Sequence, residues 1–135
     1  MIKLDRQKIT DIVLKYHTNC QAIYLFGSFA DGSAHAKSDI DIALLLPHDE
    51  AKQIPSFAMS DVLYELGKEL KHDIDLVNLR KVSTVFQNQI TETGKVIFCA
   101  DRYAKDEFEM LTLSFYQKLN QERKEILEKI LKRKI

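Results

Sequence analysis

The chain has 135 residues, 45% of them apolar and 30% charged, and its formal net charge is zero. That length gives one domain over 1–135 with a core of its own, and the charge balance excludes bulk positive charge as a route to nucleic acid, so no direct DNA binding is expected. No apolar run approaches the roughly 18 residues of a membrane span, and the opening MIKLDRQKIT lacks a signal-peptide core. A cytoplasmic protein away from membranes is therefore expected. Cys20 and Cys99 stand alone and match no zinc spacing.

Asp5 can cap a first helix to about Tyr16, with Ile9, Ile12, Val13 and Tyr16 at helical spacing. Ala22 to Phe26 form a first strand whose continuous apolar run implies cover on both faces. A Gly-Ser turn and a short helix or loop lead to a second strand, Ser38 to Leu46, and residues 48–55 read as a polar loop. Ser56 or Ser60 can cap a helix to about Leu70. The run from His72 to Leu79 alternates as a third strand, with Asp73, Asp75 and Val77 on one face and Ile74, Leu76 and Asn78 on the other. Ser83 opens a helix through Thr93, Gly94 is placed as a helix-ending C′ glycine, and Lys95 to Cys99 form a last strand. From about Asp101 to Lys132 the pattern is helical. Its distal apolar positions Ile126, Leu127, Ile130 and Leu131 either pack on a partner or belong to a solvated helix.

The chemistry is concentrated between Ala22 and Leu46. Gly27-Ser28 closes the first strand, and Asp39-Ile40-Asp41 follows after ten intervening residues at the start of the second. Side chains alternate along a strand, so Asp39 and Asp41 share a face while Ile40 and Ile42 point into the core. Two carboxylates ~4 Å apart repel by about 4 kcal/mol at an effective dielectric of 20. A fold tolerates this with water between them, with one protonated, or with a cation between them. Mg²⁺ suits an oxygen-only site that also receives substrate phosphates. Gly27 allows close backbone approach, and Ser28 offers a hydroxyl and an N–H to a phosphate, with a helix start near Ser28 adding its dipole.

Gly27-Ser28 with Asp39-Ile40-Asp41 resembles the signature of the DNA polymerase β-like nucleotidyltransferases, and most of all the minimal nucleotidyltransferase (MNT) branch, some of whose members are antitoxins paired with HEPN-domain toxins. The resemblance covers roughly residues 8–105. It implies an α+β fold: a small mixed β-sheet with helices packed on it, a core over about 8–100, and a long C-terminal helix over about 101–133. It also implies a third metal-site acid just before a Leu-Val pair. That match selects Asp75, with Asp73, on the same face, as its competitor.

By this resemblance Asp39, Asp41 and Asp75 hold two Mg²⁺ ions, with Asp75 as metal ligand or general base, and Gly27 and Ser28 bind the nucleotide phosphates. Arg80 and Lys37 are candidate phosphate contacts, each with the alternative of an ordinary surface residue. His35 reads as a loop residue. Many members carry Arg where this chain has Asp31, a departure that removes a phosphate ligand and is left without an account. The resemblance further implies a type VII-like antitoxin that transfers AMP from ATP to a tyrosine of a HEPN ribonuclease toxin. A non-catalytic antitoxin acting by binding, and a nucleotidyltransferase acting on a small molecule or RNA, remain as alternatives.

Overall fold

The computed structural model describes residues 4–133. Eleven elements follow in order. They are α1 (Arg6–Tyr16), β1 (Ala22–Phe26), α2 (Ser28–Asp31), β2 (Ile40–Leu45), α3 (His48–Lys52), α4 (Asp61–Leu70), β3 (Ile74–Asn78), a 3₁₀ turn (Leu79–Lys81), α5 (Thr84–Thr93), β4 (Lys95–Cys99) and α6 (Arg102–Arg133). The helix starts follow the caps. Asp5 accepts from the Lys8 N–H at 3.0 Å, Ser60 from Leu63 at 3.3 Å and Ser83 from Phe86 at 3.2 Å. Ser60, not Ser56, is the cap of α4.

The four strands form one sheet in the order β3-β2-β1-β4. β1 pairs antiparallel with β2 and β4, and β2 pairs parallel with β3. The long β2–β3 crossover through α3 and α4 is what a parallel pair requires. Both faces are covered, as the apolar run of β1 implied. On one face Ile23, Leu25, Ile40, Ile42 and Leu44 pack with Ile9, Val13 and Leu66 of α1 and α4. On the other, Tyr24, Phe26, Ala43, Leu45 and Val77 pack with Ile90 and Phe108 of α5 and α6.

Three expectations change. Residues 48–55 are not simply a loop: His48–Lys52 is helical, with Pro47 at its cap, Asp49 and Glu50 in its first turn and Ala51 buried. The side-chain amide of Asn78 fixes this segment by donating to the carbonyls of Ala51 at 3.0 Å and Ile54 at 2.9 Å. β2 begins at Ile40 rather than Ser38, because the Ser38 N–H donates to the His35 carbonyl and its hydroxyl accepts from the His35 N–H. Gly94 ends α5 with extended rather than left-handed backbone, φ −77° and ψ 168°. Its role is space, since a Cβ there would lie 2.5 Å from the Ile90 carbonyl oxygen and 3.2 Å from that of Leu25. Among the described residues no helix is long and apolar enough to cross a membrane.

α6 runs for 32 residues, roughly 48 Å. Phe108 and Thr112 are buried on the domain, whereas every residue from Asn120 to Arg133 is exposed, including Ile126, Leu127, Ile130 and Leu131.

Candidate active site

The site lies where β1 ends and β2 and β3 begin. In the antiparallel pair Phe26 is level with Asp41, and in the parallel pair Asp41 is level with Asp75. Neighbouring strands lie ~4.8 Å apart, so Asp41 and Asp75 are side by side, on the sheet face that carries Ala43 and Val77. Asp39 stands two residues before Asp41, just ahead of β2, and its charge acts on the Asp41 carboxyl. Ile40 and Ile42 go to the opposite core, as the alternation requires.

Gly27 turns the chain off β1 with φ 69° and ψ −151°, a conformation that only glycine adopts without strain. A Cβ on Gly27 would overlap Oδ2 of Asp41, so the glycine is also the space into which that carboxylate fits. The turn continues into the single helical turn α2, whose Ala30 N–H and Asp31 N–H donate to the Gly27 carbonyl at 3.0 and 3.2 Å. Ser28 opens α2 as the residue after the glycine that abuts Asp41.

The electrostatics are those of an acid cluster. Burial, then the neighbouring charges of Asp75 and Asp39, push the Asp41 carboxyl from 3.8 up to about 6. Asp73 is not among the charges that act on it. Asp73 instead lines a cleft with Lys37, Lys71 and His72 beside the C-terminal end of α4, and its carbonyl accepts from the Ile40 N–H at 2.9 Å. Geometry therefore brings Asp75, not Asp73, to Asp41.

The remaining sequence candidates separate. Lys37 is exposed on the 35–38 turn, two residues before Asp39, and lines the α4 cleft. His35 is part of that turn, its Nδ1 accepting from the Lys37 N–H at 3.2 Å. Arg80 is not brought to the site. It sits at the other end of β2, where Nε donates to the Leu46 carbonyl and Nη2 donates to Gln21 Oε1 at 2.8 Å. The intervening length of β2 is about 17 Å. The strand that carries Asp75 at its start carries Arg80 past its end, so closeness in sequence misled. Asp31, which the sequence left without an account, accepts from the Ser33 hydroxyl at 2.6 Å and the Ser33 N–H at 2.9 Å, and these bonds hold its carboxyl below its usual range. It closes the exit of α2 rather than facing the acids.

Sequence reasoning missed His72. Its Nδ1 lies 2.9 Å from the Ser38 carbonyl oxygen, and its ring meets that of Phe29 edge-on at 5.4 Å. One side chain thus ties the residue before Asp39 to the helix that carries Ser28. Nothing in the local pattern signals this, because the link joins segments 34 residues apart.

Among the described residues no three acid, imidazole or thiol side chains form a ready-made metal cage. The donor set nonetheless fits Mg²⁺, which is held by one or two carboxylates together with waters and substrate phosphates rather than by an all-protein cage. A carboxyl pushed up by burial and then by two neighbouring carboxylates is the site that a cation would relieve.

The fold and this cradle of Gly-Ser turn and strand acids define a nucleotidyltransferase. Residues 7–103 match the family described as "Polymerase beta, Nucleotidyltransferase", and the chain belongs to it. Within that family it is 36% identical over 132 residues, 97% of the chain and 91% of the relative, to the protein adenylyltransferase MntA of Shewanella oneidensis. It is 29% identical over 122 residues, 82% of the chain and 80% of the relative, to the protein adenylyltransferase MntA of Aphanizomenon flos-aquae. Its fold also matches solved structures. A toxin–antitoxin crystal structure with AMP-PNP aligns with a TM-score of 0.73 at 32% identity, covering 95% of this chain and 99% of that one. A tri-AMPylated Shewanella oneidensis HEPN toxin in complex with its MNT antitoxin aligns with a TM-score of 0.66 at 30% identity, covering 93% and 95%.

Proposed function

We propose that this chain is a protein adenylyltransferase that acts as an antitoxin. It transfers AMP from ATP to a tyrosine hydroxyl of a cognate HEPN ribonuclease toxin in the cytoplasm and thereby silences it. The observation that carries this reading is near-full-length similarity to MntA, joined to an intact Gly27–Ser28 turn seated against Asp41.

The roles follow from position. Gly27 and Ser28 hold the triphosphate tail, with the Ser28 hydroxyl and N–H donating to its oxygens. Lys37, on the exposed turn before Asp39, is the candidate cation for that tail. Arg80 has no part in it. Asp39, Asp41 and Asp75 are the residues that would hold Mg²⁺. When bound, the metal supplies charge neutralisation at the α-phosphate and the leaving pyrophosphate. Asp75, at the edge strand β3, orients the incoming phenol and takes its proton. The phenol oxygen attacks the α-phosphorus, the bond to the β-phosphate oxygen breaks, and pyrophosphate leaves. His72 keeps the two halves of the cradle in register by holding the Ser38 carbonyl against Phe29.

The test is incubation of the cognate toxin with this protein, ATP and Mg²⁺, followed by intact mass. Addition in multiples of AMP, lost in Asp39→Asn/Asp41→Asn, is expected. A toxin silenced without added mass would turn the reading into antitoxin action by binding alone.

A further inference from the structure

Arg80 has lost its place at the nucleotide, and its actual surroundings call for another explanation. Three of the guanidinium's five N–H groups face Leu46, Gln21 and His48 Nε2, the last at 3.1 Å. Beneath it lies the Phe108 ring, with its centroid 5.5 Å away. The group is half-buried, yet among the described residues no carboxylate comes within 4.0 Å of it. A cation taken out of water without an anion is unfavourable. It is also held rigidly, with part of its donor fork left over.

Arg80 lines a cavity of about 190 Å³ between α3, the 3₁₀ turn, α5 and α6. Its walls are Phe108, Leu111 and Phe115, and Gln87 closes one side. Leu111 and Phe115 are 44% and 57% exposed, so the apolar wall continues out onto the open face of α6. Glu107 stands at the rim, within electrostatic range of Arg80 but not paired with it.

We propose that this cavity is a carboxylate receptor at the interface with the cognate toxin: an acidic side chain of the toxin enters between Leu111 and Phe115 and takes the free N–H groups of Arg80. This rests on the toxin reading above. The size and lining select the occupant. The cavity is smaller than the 300 Å³ or more typical of small-molecule sites, which excludes a nucleotide. Two remaining N–H groups match the two oxygens of one carboxylate, whereas a phosphate dianion would need more donors and would meet stronger repulsion from Glu107. A buried Arg set among aromatic and aliphatic side chains is the composition of an interface anchor. The cavity lies at the opposite end of the sheet from the acids, so it fixes where the toxin sits without touching the reacting atoms.

The experiment is titration of the cognate HEPN toxin into the wild-type protein and three variants. Binding of Mg²⁺ with a fluorescent ATP analogue and the thermal midpoint are measured alongside. Arg80→Lys keeps the charge but loses the fork, and Leu111→Asp changes an exposed position. Each is expected to weaken toxin binding by about tenfold or more with nucleotide binding unchanged, and the thermal midpoint verifies that each variant is folded at the temperature of the titration. Glu107→Gln is expected to strengthen it by removing the rim charge. Wild-type affinity in both Arg80→Lys and Leu111→Asp overturns the proposal. So does a cavity that takes inorganic phosphate, detected as an Arg80-dependent shift in melting, while toxin binding stays the same in all variants. If wild type itself binds no toxin, the toxin reading fails and this inference with it, an outcome distinct from variants that bind normally.

Discussion

The acid cluster makes a prediction opposite in sign to most polar substitutions at a buried site: Asp41→Asn stabilises the metal-free protein. Asp41 moves from 3.8 up to about 6 in the folded state, chiefly through burial and then through Asp75 and Asp39. The folded value is above the unfolded one, so the folded state holds the extra proton between them and stability falls as pH rises through that window. Taken in full, the gap corresponds to about 3 kcal/mol against folding at pH 7. The side chain is partly open to water, and screening reduces this to about 1–2 kcal/mol. Asparagine removes the charge and keeps the shape, so the thermal midpoint in EDTA at pH 7 rises by roughly 3–8 °C. At pH 4, where folded Asp41 is already protonated, the gain disappears. Mg²⁺ narrows the gap at pH 7 because it binds the wild-type carboxylates more tightly. The assay is calorimetry of both proteins across pH 4–8, with and without Mg²⁺. A variant no more stable than wild type at pH 7 in EDTA, or a gain independent of pH, refutes the reasoning.

Asp75→Asn should lower AMP transfer by about a hundredfold or more, since a positioned acid–base group alone contributes 10²–10⁴, while Asp73→Asn leaves it within a few-fold; equal losses in a radiolabel assay would reopen the choice between them. Gly27→Ala drives a methyl into Asp41 at a positive φ, and should destabilise by about 1–3 kcal/mol with transfer lost, read by urea unfolding beside the activity assay. Gly94→Ala keeps an allowed backbone but crowds the carbonyls of Ile90 and Leu25, and should cost about 1–3 kcal/mol in urea unfolding without altering nucleotide binding. Ile42→Ala, at a position with no exposure, should cost about 2–5 kcal/mol by the same measurement.

The parts legible in the sequence are those set by local rules. Alternation paired Asp39 with Asp41 and sent Ile40 and Ile42 to the core, but it grouped Asp73 with Asp75, and only the family resemblance chose between those two. Caps at Asp5 and Ser83 placed two helix starts, Ser56 and Ser60 were both open for a third, and the continuous apolar run of β1 announced a strand covered on both faces. The parts that were not legible depend on distant partners. The short helix α3 is fixed by Asn78 from β3. Gly94 looked like a left-handed helix end, but its need is room beside Leu25, a contact no local pattern contains. Arg80 looked close to the acids because it follows Asp75 by five residues. A strand carries five residues the length of the sheet, and so delivered it to the opposite end. Asp31, which the sequence left without an account, forms the turn that ends α2.

The central claim, transfer of AMP from ATP onto the toxin, is tested most directly by isotope position. Toxin is incubated with this protein, Mg²⁺ and ATP labelled either at the α- or at the γ-phosphate, then separated and counted. The account predicts stable α-label on the toxin, confined to tyrosine-containing peptides, and γ-label released entirely as pyrophosphate. Retention of γ-label on the toxin, or silencing of the toxin with neither label attached, would contradict it.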